Sequence, residues 1–159
     1  VLHQTGKHNF EETVTAYRSR GIEADVRPFI DDMASAYGWA DLAVCRSGAL
    51  TVTELAAAGV PAILVPFPAA VDDHLDALRR VGADDHQTRN AQYAVQAGAA
   101  KLLPERDLTP ISLAALLRAL LEAGRPLLSR MAVAARASAI VDADERLADA
   151  CMQAAGEAA

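Results

Sequence analysis

Aromatic side chains are scarce in this chain: they make up 4% of its 159 residues, although 52% are hydrophobic. A core of interlocking rings is excluded. Small aliphatic side chains, alanine above all, must do the packing, which suits helices laid closely on a sheet. Cysteine is nearly absent. Cys45 and Cys151 lie far apart and outside any CxxC spacing, so no disulfide framework is indicated and a reducing cytoplasm is the default setting. Basic charge is short as well. The net charge of −6 disfavours nucleic-acid backbones and anionic membrane surfaces as partners, because both are repelled. No apolar run is long enough to enter a membrane unbroken. The stretch between Glu54 and Asp72 carries no charge, but Gly59, Pro61, Pro66 and Pro68 interrupt it, against a spanning helix. No GxGxxG follows a strand, which argues against a dinucleotide oxidoreductase. The start, Val1-Leu2-His3-Gln4, has no leader pattern and reads as a strand entered part-way, as in a fragment of a longer protein.

What is present is an alternation of strand and helix signals. The length fits one compact domain over 1–159. Val1 to Gln4 reads as a strand end, and Phe10 to Arg20 as a helix stopped by Gly21. Ile22 to Phe29 alternates as a strand does. Asp31-Asp32 opens a short helix, with acids where a helix start favours them; Trp39 is expected as an anchoring core residue. Leu42 to Cys45 is a buried-strand pattern, Ala49 to Ala58 a helix closed by Gly59, and Pro61 to Phe67 the strongest strand. Two segments headed Asp72-Asp73-His74 and Asp84-Asp85-His86 form an imperfect helical repeat. Lys101 to Leu103 reads as a last strand. Thr109 is expected to cap a helix with Pro110 at its first position. Helix then continues, broken near Gly124-Arg125-Pro126, into a tail over 141–159. Such alternation implies βαβ units: a Rossmann-like parallel α/β sheet with helices on both faces. Ligands in such folds sit beyond the carboxyl ends of strands, which selects the loops after Phe29, Cys45 and Phe67.

Each loop has two readings. In Cys45-Arg46-Ser47-Gly48-Ala49-Leu50-Thr51-Val52-Thr53-Glu54, a strand ends and a helix begins with free backbone N–H groups, an anion site suited to a diphosphate. Thr51 and Glu54 share a helical face, and a carboxylate there can accept two hydrogen bonds from a vicinal diol such as a ribose. The plainer alternative is that Ser47 is an ordinary N-cap and Thr51-x-x-Glu54 steadies the first turn. The backbone of Ile30 can pair with the edge of a planar base, or Ile30 can be plain core. Gln87 and Asn90 are three apart and match sugar hydroxyls with their amides, or they are simply a solvated face. Metal binding by the Asp-Asp-His triplets is disfavoured, because adjacent helical residues point apart and no i, i+4 histidine pair exists. Nucleophilic catalysis is disfavoured too: Ser47 is not in a GxSxG elbow, and Cys45 has no evident base.

Taken in order, His3-Gln4-Thr5-Gly6-Lys7, Phe29-Ile30-Asp31-Asp32-Met33-Ala34, Tyr37, Trp39-Ala40-Asp41, Cys45 to Thr51, Glu54, Ala57-Ala58-Gly59 and Pro61-Ala62 resemble the MurG family. Val65-Pro66, Asp84, Gln87, Asn90-Ala91 and Gly98-Ala99-Ala100 continue the resemblance over most of the chain. MurG enzymes are inverting transferases that move N-acetylglucosamine from UDP-N-acetylglucosamine to lipid I, giving lipid II of peptidoglycan. The resemblance implies the donor-binding, C-terminal half of a GT-B glycosyltransferase, peripheral at the inner face of the bacterial plasma membrane without inserting into it. By position, Ile30 would meet the uracil, Ala49, Leu50 and Thr51 the diphosphate with Arg46 nearby, Glu54 the ribose, and Gln87 and Asn90 the sugar. No metal and no cofactor beyond the donor substrate is implied. The catalytic base and the lipid I site would belong to an N-terminal domain this chain lacks, so the chain alone is expected to be inactive in transfer. Relative to the family pattern, about twelve extra residues over 74–85 precede Gln87 and read as an insertion. A non-catalytic nucleotide-sugar or protein-binding module that kept the fold is the alternative.

Overall fold

The alternation in the first forty residues produces two strands and two helices. The computed structural model describes residues 1–67 and 86–157. Strand β1 (Leu2–Gln4) leads through the turn at Gly6 into helix α1 (Phe10–Ser19), followed by β2 (Asp25–Arg27) and α2 (Met33–Trp39). β1 and β2 pair in parallel, with His3 opposite Val26. β2 is shorter than the span from Ile22 to Phe29 for two local reasons. The Ile22 N–H closes α1 on the Tyr17 carbonyl, with Gly21 at φ +64°, so Ile22 serves the helix end. Pro28 has no N–H to extend the ladder. Asp32 caps α2 by accepting from the Ser35 N–H at 2.9 Å. Trp39 does not anchor the core as expected. It ends a seven-residue helix that has no buried residue, and it is 66% exposed.

The remaining chain builds a second sheet from β3 (Ala43–Cys45), β4 (Ala62–Leu64) and β5 (Ala100–Leu102), all parallel in the order β3-β4-β5. Between the strands lie α3 (Ala49–Ala58) and α4 (His86–Gln96); after them come a 3₁₀ turn (Glu105–Asp107), α5 (Pro110–Glu122), α6 (Gly124–Ala137) and α7 (Ala143–Glu157). The uncharged run after Gly59 becomes the central strand, and its residues are at most 2% exposed. Alternation along β4 sorts them by face. Ile63 packs with Val65, Leu103, Leu120 and Met131, under α5 and α6. Ala62 and Leu64 face the small apolar space lined by Val52, Leu55, Ala94 and Ala135. Burying each of Ile63 and Leu64 contributes about 1.5–3 kcal/mol. The parallel sheet covered on both faces, read from the sequence, is what forms here.

Helix ends follow the sequence closely in this part. Gly59 adopts φ +69° and closes α3. Thr109 and Ser112 form a reciprocal capping box ahead of α5, with Pro110 at its first position. The helical remainder breaks at Gly124 as expected and again after Ser138, so α7 begins at Ala143. By backbone contacts the chain divides into two compact units, Val1–Ala40 and Asp41–Ala159. The first Asp-Asp-His triplet, the expected insertion over 74–85 and Asp84-Asp85 lie outside the described residues.

Candidate functional site

The carboxyl ends of β3 and β4 set the geometry. After Cys45 the chain turns through Arg46 and Ser47 to Gly48, the N-cap of α3, at φ −60° and ψ 150°. No side chain caps this helix, in contrast to α2 and α5. Ser47 is therefore not the N-cap that the plainer reading expected. It is fully buried, and its hydroxyl donates to the Gln87 carbonyl at 2.8 Å. The first turn of α3 carries Ala49, Leu50 and Thr51, with Leu50 78% exposed. Glu54 stands exposed one turn further on. Backbone donors uncapped by a side chain, at the positive end of a helix, can hold an anion such as a diphosphate.

Helix α4 is stitched to this turn. Gln87 Oε1 accepts the Phe67 N–H at 2.8 Å, and Asn90 Nδ2 donates to the Ser47 carbonyl at 3.1 Å. The two amides read as sugar contacts thus also fasten the loops after β3 and β4 to the start of α4. Arg46 reaches across the strand ends: its guanidinium pairs with Glu105 of the 3₁₀ turn, lies 5.0 Å from the centre of the Phe67 ring, and approaches the Val65 and Pro66 carbonyls at 3.5 Å. Burial pushes the Cys45 thiol up to about 11, so it stays protonated at neutral pH and is a poor nucleophile.

Within the first unit, Ile30 is 8% exposed. Its N–H donates to Gln4 Oε1 at 2.8 Å, fixing the backbone of the loop after β2. Among the described residues no group of three metal-ligating side chains is gathered, and no helix is long and apolar enough to cross a membrane.

The family model described as the glycosyltransferase family 28 C-terminal domain matches residues 1–77 and 79–147. The chain belongs to this family. Among curated relatives of this family 28 domain, the UDP-N-acetylglucosamine–N-acetylmuramyl-(pentapeptide) pyrophosphoryl-undecaprenol N-acetylglucosamine transferase of Methylococcus capsulatus is 51% identical over 156 residues, covering 98% of the chain and 40% of the relative. The enzyme of the same name from Chromohalobacter salexigens is 53% identical over 154 residues, covering 97% and 38%. The crystal structure of Acinetobacter baumannii MurG superposes with a TM-score of 0.82 at 42% identity, over 96% of this chain and 42% of that one. The family 28 domain described here thus spans about 40% of the length of its curated relatives, and its fold is that of the C-terminal half of a GT-B transferase.

Sequence reasoning missed two participants in this family 28 domain. In sequence Gln4 is legible only as part of a motif, yet it reaches 26 positions along the chain to the Ile30 N–H. Glu105 was not singled out. A glutamate just after the last strand of a parallel sheet stands beyond the carboxyl ends of the strands by topology, which is the signal that could have found it.

Proposed function

We propose that the chain is the donor-binding half of an inverting N-acetylglucosaminyltransferase that converts lipid I to lipid II, with UDP-N-acetylglucosamine as its ligand. The observation that carries this reading is the start of α3: a turn of backbone donors without a side-chain cap, directly after β3, with Glu54 one turn on. Ala49, Leu50 and Thr51 hold the diphosphate, with Arg46 beside it. Glu54 accepts from the ribose hydroxyls, Ile30 meets the uracil, and Gln87 and Asn90 meet the sugar. In transfer, the developing charge on the leaving diphosphate is stabilised by the same backbone donors and helix dipole. The activity for which the relatives are named supports the choice of donor and of a lipid-linked muramyl pentapeptide acceptor. The acceptor site and catalytic base belong to the part of those relatives that this chain does not span. In the complete enzyme the protein works on the cytoplasmic side, peripheral to the plasma membrane.

Calorimetric titration with UDP-N-acetylglucosamine, UDP and ADP tests the reading. Uridine ligands bind in preference to ADP, and Glu54→Ala weakens both uridine ligands about tenfold, as loss of charge-assisted hydrogen bonds requires. Absence of saturable binding by any nucleotide would instead mark a module that kept the fold without the ligand.

A further inference from the structure

Ser47 is the one buried polar residue among those described, and the polar atoms around it have fixed senses. Its hydroxyl donates to the Gln87 carbonyl, and its own carbonyl accepts from Asn90 Nδ2. The Phe67 N–H donates to Gln87 Oε1. Backbone groups cannot change sense, since an N–H only donates and a C=O only accepts. Each side-chain amide is therefore locked in one of its two orientations. Turning Gln87 over sets its NH2 against the Phe67 N–H; turning Asn90 over sets Oδ1 against the Ser47 carbonyl. Either change brings like against like. The end of Gln87 away from Phe67 is thus its NH2, a pure donor. The end of Asn90 away from Ser47 is Oδ1, a pure acceptor.

We propose that this brace gives α4 a fixed and opposite polarity toward a sugar: Gln87 donates to a ligand oxygen, and Asn90 accepts from a ligand hydroxyl. The inference rests on the reading of α4 as the sugar-contacting element. It adds which hydrogen-bonding sense each sugar oxygen must adopt. A hydroxyl met by Asn90 acts as a donor, so fluorine there, an acceptor set against Oδ1, binds no better than hydrogen. An oxygen met by Gln87 acts as an acceptor, so fluorine there binds better than hydrogen.

Two isosteric substitutions separate the brace from the ligand contact. Gln87→Glu keeps an oxygen for the Phe67 N–H and replaces the outward donor with an acceptor. Asn90→Asp keeps the outward acceptor and sets a carboxylate oxygen against the Ser47 carbonyl, so the brace opens. Both variants and the unchanged chain are titrated with UDP and with UDP-N-acetylglucosamine. Gln87→Glu is expected to weaken UDP-N-acetylglucosamine about tenfold more than it weakens UDP, as loss of one contact to the sugar requires. Asn90→Asp weakens both ligands together, because the turn before α3 loosens. If Gln87→Glu unfolds at a lower temperature than the unchanged chain, the Gln87 NH2 resonances of the latter decide the matter: they shift with UDP-N-acetylglucosamine and not with UDP. Fixed polarity is overturned if Gln87→Glu affects both ligands alike or leaves the sugar nucleotide unaffected, or if the Gln87 NH2 resonances ignore the sugar. An unchanged chain that binds neither ligand overturns the donor-site reading along with it.

Discussion

Cys45 ends β3 directly before the turn into α3. Burial keeps it neutral, with a pKa pushed up to about 11. Cys151 is exposed on α7. Iodoacetamide at pH 8 is therefore expected to add one label per chain, at Cys151, read by peptide mass; rapid labelling of Cys45 would contradict the buried, protonated thiol. The sequence alone indicated that Cys45 lacks a base partner. It did not indicate the part played by Ser47, since a serine before a glycine and a helix reads as a cap. What makes it a buried link instead is the Gln87 carbonyl, forty positions away, and such pairings leave no local pattern. Trp39 misled in the opposite sense, because a large aromatic ring suggests burial while a short helix end offers nothing to bury it against.

Helices show more of themselves in sequence than strands do. The span of α3 agrees with its reading at both ends, because Gly48 and Gly59 mark them chemically. The start of α5 does too, through Thr109 and Pro110. Thr109→Ala removes one arm of the capping box and is expected to lower stability by about 1 kcal/mol, measured by chemical denaturation. No loss would mean that the box is formed but idle. At α2 the Ser35 hydroxyl and N–H hold the Asp32 carboxyl below the usual value of 3.8. A lowered folded pKa means that the cap's contribution is complete above the unfolded value, and fades as pH falls below it through the folded value. An NMR titration of the Asp32 carboxyl checks the direction, and a midpoint above the ordinary value would contradict the cap. Strand ends were less legible. Ladder hydrogen bonds, not side-chain patterns, set them, as the short β2 between Ile22 and Pro28 illustrates.

At the scale of the molecule, the order of strands and helices points to the loops at the carboxyl ends of the strands, because a parallel sheet exposes one set of strand ends. The motif around Cys45 carries the family resemblance, and the start of α3 at Ala49 is legible within it. The bracing role of Gln87 and Asn90 and the reach of Gln4 to Ile30 are not, since each joins distant segments. The chain spans about 40% of its relatives' length, and under the proposed function it binds donor without transferring sugar. A radiolabelled transfer assay with the isolated chain is expected to show no turnover, and turnover would place a catalytic base within these residues. The backbone donors at the start of α3 are central to the proposed site. An amide NMR titration with UDP tests them directly: the largest shifts are expected at the N–H groups of Gly48, Ala49, Leu50 and Thr51. Saturable shifts centred elsewhere, with those four amides unmoved, would contradict it.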